Sequence, residues 1–392
     1  MKITDIKTFV VDCFRTNFVF AKIYTDSGIT GVGEGTLEYK EYALLGAIEH
    51  LKDYLIGKDP LQIELHTHMM YRDSYWRTGP VMMAALSTLE MAMWDIAGKY
   101  YNAPVYQLLG GKVRDEIKFY ANGWFAGART ADQFAEKAAV AASKGVRALK
   151  WDPFGSNYMY MDNKQIKESV DKIRAVREAV GDDVELLIEC HGRLDTATAL
   201  RVADAIAPYN PMWFEEPVPP DNMKSMALVH AKSPVPIAAG ERIYGIHQYS
   251  EFIEANCADF LQPDVSHAGG IMEIKKIAAM AEAHHMEVAP HNPSGPVANA
   301  ASLQLAGNLS NFVILEIMLT DVAWREEMTN EEVVFHDGCI KIPDKPGLGL
   351  ELNEEALTKH PYRATHLRHY KGTLTDIRPE GSETKYYFKN FG

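Results

Sequence analysis

"LLIECHGR", residues 186–193, reads as a strand that ends on Glu189 and His191, with Gly192 and Arg193 straight after. Successive side chains of an extended chain point to opposite faces, so two residues two positions apart share one. A strand that aims a carboxylate and an imidazole at one spot is either a surface salt bridge or the edge of a reaction site. The neighbouring sequence must separate the two.

Outward from this stretch, short apolar runs alternate with amphipathic helices from residue 116 onward. The runs are "KFYAN" (118–122), "RALKW" (147–151), "ELLIE" (185–189), "MWFEE" (212–216), "VPIAA" (235–239), "DFLQP" (259–263), "MEVAP" (286–290) and "FVILE" (312–316). A helix is predicted over 131–144, with Thr130 and Gln133 as a capping box and Gly145 as its stop. Another is predicted over 164–180, apolar at Ile166, Val170 and Ile173 and closed by Gly181. Strands alternating with helices in this way predict an α/β protein built on a (β/α)8 barrel. A doubly wound open sheet competes, but no Gly-rich dinucleotide loop follows the first strand.

Residues 1–60 read differently, as strands first. "DIKTFVVDCF", "FVFAKIYTDSG" and "TGVGEGTL" follow one another, with Asp26–Gly28 as a hairpin turn. Helical segments are expected around 40–56 and 80–100, the second ending near Gly98 with Pro104 beyond. The division is therefore an α+β block over 1–115, a barrel over 116–320 and a tail over 321–392 that folds back onto the first block.

Bulk composition narrows the function. Hydrophobic content of 47% with 24% charged residues fits a globular protein. A net charge of −13, with no Lys/Arg-rich run, argues against nucleic acid as a partner. The cysteines, Cys13, Cys190, Cys257 and Cys339, lie far apart, which is neither a disulfide framework nor a thiolate metal site. The N-terminus lacks a signal peptide's apolar core and no stretch approaches membrane-spanning length. The expected location is cytoplasmic.

Chemistry in such a barrel sits at the C-terminal strand ends. Reading only those ends gives Lys150 with Asp152, Glu189 with His191, Glu215 and Glu216, Glu241, Asp264, His291 and Glu316. Glu189, Glu215 and Glu241 are spaced 26 and 26 residues apart, one βα unit each time, which places them at equivalent heights on neighbouring strands. Each alone reads as a surface ion pair. Three facing one point would repel unless a cation joined them, and all-oxygen ligation with open positions suits Mg²⁺. His191 and His291 add proton-transfer capacity, and Asp264 is placed to orient His291. The other histidines, including His284 and His285, read as ordinary.

These residues resemble the enolase superfamily, mandelate racemase subgroup. The resemblance covers nearly the whole chain through "GVGEG", "MAMWDIAGK", "LLGGKVRD", "EEPV", "AAGERI", "LQPDVSHAGG" and "KPGLGLELN". Within that subgroup "YANGW" (120–124), "ALKWDPFG" (148–155) and the E-x-H-G-R of the opening stretch look most like the acid-sugar dehydratases of galactonate and gluconate. The resemblance implies a modified barrel, (β/α)7β, under a capping domain formed by the first block and completed by the C-terminal segment. It implies metal ligands at Glu189, Glu215 and Glu241, with Mg²⁺ as the cofactor. It makes His291 the general base, sharpened by Asp264, and His191 the general acid. Glu316 matches a glutamate that hydrogen-bonds the enolate, and Lys150 matches the first lysine of a second-strand K-x-K. Arg193 and Asn122 are expected to touch the sugar chain, and self-association into a homo-oligomer, often an octamer, is implied.

Two departures bear on the chemistry. The first ligand, usually Asp, is here Glu189, and the K-x-K is here Lys150-Trp151-Asp152. Asp152 cannot act as a lysine base, which counts against racemisation between opposed bases. The expected activity is dehydration of a small sugar acid to a 2-keto-3-deoxy acid through an enediolate. A lactone cycloisomerase or an epimerase would use the same metal and base, and a non-catalytic barrel is the reading from another class. Substrate choice is expected to lie in capping-domain loops, including parts of 14–22 and 40–75.

Overall fold

Strand β1 (Ile3–Asp12) pairs antiparallel with β2 (Asn17–Thr25), which pairs with β3 (Thr30–Glu34). A computed structural model describes residues 1–331, 333–382 and 384–386; positions 387–392 of the expected C-terminal segment lie outside the described residues. Helices α1 (Glu41–Leu55), α2 (Ile63–Arg72) and α3 (Pro80–Tyr101) cover the sheet. The glycines of "TGVGEG" exist for α3: a Cβ at Gly31 or Gly33 would strike the carbonyl oxygens of Ala92 or Thr88. Backbone therefore lies directly on backbone, and α3 is buried from Met83 to Gly98. A short helix, α4 (Val105–Leu108), leads into the barrel.

The barrel strands are β4 (Glu116–Asn122), β5 (Ala148–Trp151), β6 (Glu185–Glu189), β7 (Trp213–Glu215), β8 (Ile237–Ala239), β9 (Phe260–Leu261), β10 (Glu287–Val288) and β11 (Leu315–Met318). Between them lie α5 (Ala131–Ser143), α6 (Asn163–Val180), α7 (Thr196–Ile206), α8 (Met223–Lys232), α9 (Gly245–Glu254), α10 (Ile271–Ala283) and α11 (Pro296–Asn308). The strands β4 to β10 are parallel and in order, and β11 pairs with β4. A bridge between Val288 and Phe312 joins β10 to the run entering β11, with Val313 N donating to Val288 O at 3.0 Å. Seven helices for eight strands make this (β/α)7β.

Local signals explain the helix boundaries. Thr130 and Gln133 form the expected capping box of α5, and Asp162 with Gln165 forms a second at α6. Gly181, with φ of 72°, closes α6. Inside the staves Tyr120, Ala148, Leu187, Trp213, Ala238, Ala289 and Ile314 pack into a plug. The alternate strand residues, such as Leu186, Ile188 and Phe214, face the helices. The plug is the floor of whatever stands at the strand ends.

After β11 the chain forms a hairpin, Phe335–His336 with Cys339–Lys341, whose second arm adds antiparallel to β4. It then returns to the first sheet, where Glu354 accepts from Lys22 Nζ at 2.6 Å and from the Tyr24 hydroxyl at 2.9 Å. The stretch after Arg363 does something else: it crosses the barrel mouth, tied down by Gly127 N donating to Thr375 O at 2.7 Å. Among the described residues no helix is long and apolar enough to cross a membrane, and all four cysteines are free.

Candidate active site

Glu189 and Glu215 end β6 and β7 and are register partners. Glu241 is not at their height: the β8 partner of Glu215 is Ala238, and Glu241 follows Gly240, whose φ is 138°. A glycine turn, not strand register, swings Glu241 back, and one oxygen from each carboxylate lies within 4.8 Å of the others. Lys150 on β5 places Nζ 2.7 Å from Glu215, 3.3 Å from Glu189 and 3.1 Å from Glu316. Trp213 Nε1 donates to the other oxygen of Glu215 at 2.8 Å. Burial and then the neighbouring Glu189 charge push the Glu215 carboxyl up to about 8, only partly offset by Lys150. Glu189 Oε2 accepts no hydrogen bond. This is an acidic trio short of positive charge.

His291 Nδ1 lies 2.7 Å from Asp264 Oδ2, and its Nε2 lies 3.2 Å from Glu241 Oε2. Burial alone would lower its pKa, but Glu241, Asp264 and Glu316 outweigh burial and raise it to about 10. Much of that rise comes from Glu241, so a cation claiming the charge of Glu241 returns His291 toward the neutral form a base requires. Asp264 is itself fixed by Ser266 N, which donates to Oδ1 at 2.7 Å.

His191 does not follow from strand alternation. The strand stops at Glu189, and His191 and Gly192 both take left-handed conformations, φ 51° and 60°. That turn lets His191 N donate to Glu189 Oε1 at 2.6 Å while the ring reaches Asp152, Nδ1 to Oδ2 at 2.7 Å. The left-handed φ favours glycine at position 192, and the end of the Arg242 side chain packs where a Cβ would stand. Burial opposes protonation of His191, but Glu189 and Asp152 outweigh it and raise the pKa.

Glu316 on β11 accepts from Asn122 Nδ2 at 2.8 Å and Asn292 N at 2.9 Å. Burial would raise its pKa, yet Lys150, His291 and these donors hold it down at about 2. An ionised carboxylate only accepts. The expected hydrogen bond between Glu316 and an enolate needs a proton on one of the two oxygens, and the groups that donate to Glu316 are Lys150, Asn122 and Asn292 N. The expectation for Arg193 also changes. It is fully buried, and its five donors go to Cys190 O, Gly155 O, Asn157 O, His369 O and Asp152, so none is left for a sugar.

Asn122, Lys150, Glu189, His191, Glu241, His291 and Glu316 line one cavity of about 400 Å³. Of the loops expected to select substrate, Arg15 and Lys40 reach it, but nothing from 41–75 does. Arg368, His369 and Tyr370 of the C-terminal stretch form the roof instead, the His369 ring 5.0 Å from that of His191. Sequence reading missed this roof, because no local periodicity marks it. Arg242, paired with Glu216, was missed too, although "EEPV" and "AAGERI" had drawn notice as motifs.

Residues 4–110 match the mandelate racemase/muconate lactonizing enzyme N-terminal domain, and residues 133–356 match the enolase C-terminal domain-like family. This chain belongs to the enolase superfamily. Within it, the D-galactonate dehydratase of Cronobacter sakazakii (strain ATCC BAA-894) is 34% identical, covering 96% of this chain and 100% of that protein. The D-galactonate dehydratase of Klebsiella pneumoniae (strain 342) is 36% identical, over 96% of this chain and 98% of its own length. The crystal structure of a mandelate racemase/muconate lactonizing enzyme from Sulfitobacter sp. superposes with a TM-score of 0.89 at 34% identity, covering 94% of this chain and 97% of that one. As a superfamily member of the mandelate racemase type, the chain is an enzyme, and its curated relatives place it among the hydro-lyases.

Proposed function

We propose that this enzyme dehydrates an aldonate, galactonate or gluconate, to the corresponding 2-keto-3-deoxy acid through an enediolate. The observation that carries the reading is the pair of histidines at the two ends of the acidic trio, His291 beside Glu241 and His191 beside Glu189, each backed by an aspartate at 2.7 Å. One can take a proton while the other gives one.

The trio suits a hard divalent ion: three carboxylates, one with an oxygen that accepts no hydrogen bond, and no thiolate or imidazole among them. Glu189, Glu215 and Glu241 would hold Mg²⁺, which when bound supplies the positive charge that makes a proton next to an ionised carboxylate removable. Lys150 adds fixed positive charge at the same place. His291 takes the proton from C2, with Asp264 holding the ring. The electron pair left at C2 drives out the C3 hydroxyl, and His191 protonates the departing oxygen so that water leaves. The enol then tautomerises to the 2-keto acid.

A cycloisomerase or epimerase would share the base but would need no acid at C3. Incubation of the Mg²⁺-loaded enzyme with D-galactonate and with D-gluconate is expected to yield a semicarbazide-reactive 2-keto acid. Products that keep the elements of water would overturn the dehydratase reading.

A further inference from the structure

We infer that Asp152 is a positioning residue for the proposed acid, holding His191 in the tautomer and orientation that turn Nε2 into the cavity. The inference rests on the dehydratase reading for its consequence, but the geometry stands by itself. Asp152 lies immediately past β5, where the family pattern has the second lysine, and its side chain is 2% exposed.

Both of its oxygens are committed. Oδ1 accepts from Phe154 N at 2.8 Å, and Oδ2 accepts from His191 Nδ1 at 2.7 Å and from the Arg193 guanidinium. Arg193 cannot yield, since it is also bound to Cys190 O at 2.9 Å and to His369 O at 3.2 Å. Burial opposes the charge on Asp152, but Arg193 and His191 outweigh it and keep the carboxyl below its ordinary pKa. A carboxylate in that state only accepts, so Nδ1 must donate and the proton to be delivered must sit on Nε2. The His291–Asp264 pair, also at 2.7 Å, is built the same way on the other side of the site. Replacing a lysine by Asp152 thus removes one base and installs a support for an acid.

The rival explanation is that Asp152 only anchors Arg193. Two measurements separate them. In ¹⁵N-histidine-labelled wild type, with the His191→Asn variant for assignment, His191 is expected to carry a hydrogen-bonded proton on Nδ1 that is lost in Asp152→Asn. An unprotonated Nδ1 in wild type would overturn the inference, whatever the variant does. In D₂O, Asp152→Asn is expected to lose ~10²–10⁴-fold in dehydration of the aldonate that wild type turns over, while exchange of the C2 proton persists. A 3-deoxy-3-fluoro analogue should restore elimination, because fluoride departs without a proton. Loss of exchange together with dehydration, or a fluoro analogue eliminated as poorly as the alcohol, would leave Asp152 as an anchor only. Wild type inactive on every aldonate would sink the functional reading and leave the tautomer measurement to decide this one.

Discussion

Glu189 and Glu215 face each other in register on adjacent parallel strands, so the backbone ladder itself holds two like charges side by side. Like-charged carboxylates at such a separation cannot both ionise cheaply without a counter-charge. Titration of the protein with Mg²⁺ should show saturable binding, weakened at least ~10-fold by Glu215→Gln or Glu241→Gln. Protons compete for the same oxygens, so affinity should rise with pH. At 100-fold excess over Kd the ion should add ~2.7 kcal/mol of stability, visible as a higher Tm. A flat calorimetric trace at millimolar Mg²⁺ would contradict the site.

The two histidines should separate two steps. His291→Asn is expected to abolish dehydration and C2-proton exchange together, each by ~10²–10⁴-fold. His191→Asn should stop dehydration while exchange survives. Equal loss of exchange in both variants, followed by NMR in D₂O, would refute the split.

The roof should govern binding more than chemistry. His369 Nε2 lies 3.8 Å from Glu38, whose other oxygen lies 3.6 Å from Arg15. His369→Ala removes a wall of the cavity without touching the trio or Lys150. It should raise KM ~10-fold, about 1.4 kcal/mol, with a smaller change in kcat. A fall in kcat alone would place His369 in the chemistry.

Glycine substitutions test the packing of the first sheet. Gly33→Ala pushes a Cβ into the backbone of α3 at Thr88 and should cost ~1–3 kcal/mol. Gly46, inside α1 with open space around it, should behave oppositely: Gly46→Ala should add ~0.4–1 kcal/mol by restricting the unfolded chain. Thermal melts of the two variants decide the signs.

A surface pair at the base of the barrel gives a pH signature. His230 Nε2 lies 3.1 Å from Asp259 Oδ1. Donating a hydrogen bond to Asp259 raises the His230 pKa against burial, and burial of Asp259 is outweighed by His230, which lowers its carboxyl. The histidine contribution is complete below the unfolded value of 6.5 and fades as pH rises through the folded one. The aspartate contribution is complete above 3.8 and fades as pH falls through its lowered value. His230→Gln should therefore lose more stability at pH 5.5 than at pH 8.5, by ~0.2–1 kcal/mol for a half-exposed pair. Equal losses at both pH values would remove the pair from the balance.

Some of the site was legible in the sequence alone. The apolar runs ending in Lys150, Glu189, Glu215 and Glu316 are strands because buried staves need continuous apolar residues, and their last inward residues stand at the mouth. His291 and Asp264 were paired from neighbouring strand ends, and they meet at 2.7 Å. What failed was anything that depends on how the chain leaves a strand. Glu241 lies beyond its stave, His191 sits in a left-handed turn, and Arg193 turns inward to hold Asp152.

Alternation of apolar strand and amphipathic helix, capping residues and glycine placement specified the barrel, its order and the acidic and basic residues at its mouth, because each is a local choice about burial or backbone angle. Barrel closure decided the rest. Phe260–Leu261 and Glu287–Val288 are strands only through their neighbours, and His369 reaches His191 only after the chain has returned to the first sheet and crossed the barrel mouth. Such long-range contacts leave no period in the sequence, since the free energy that selects them arises only once the remote partners are already in place.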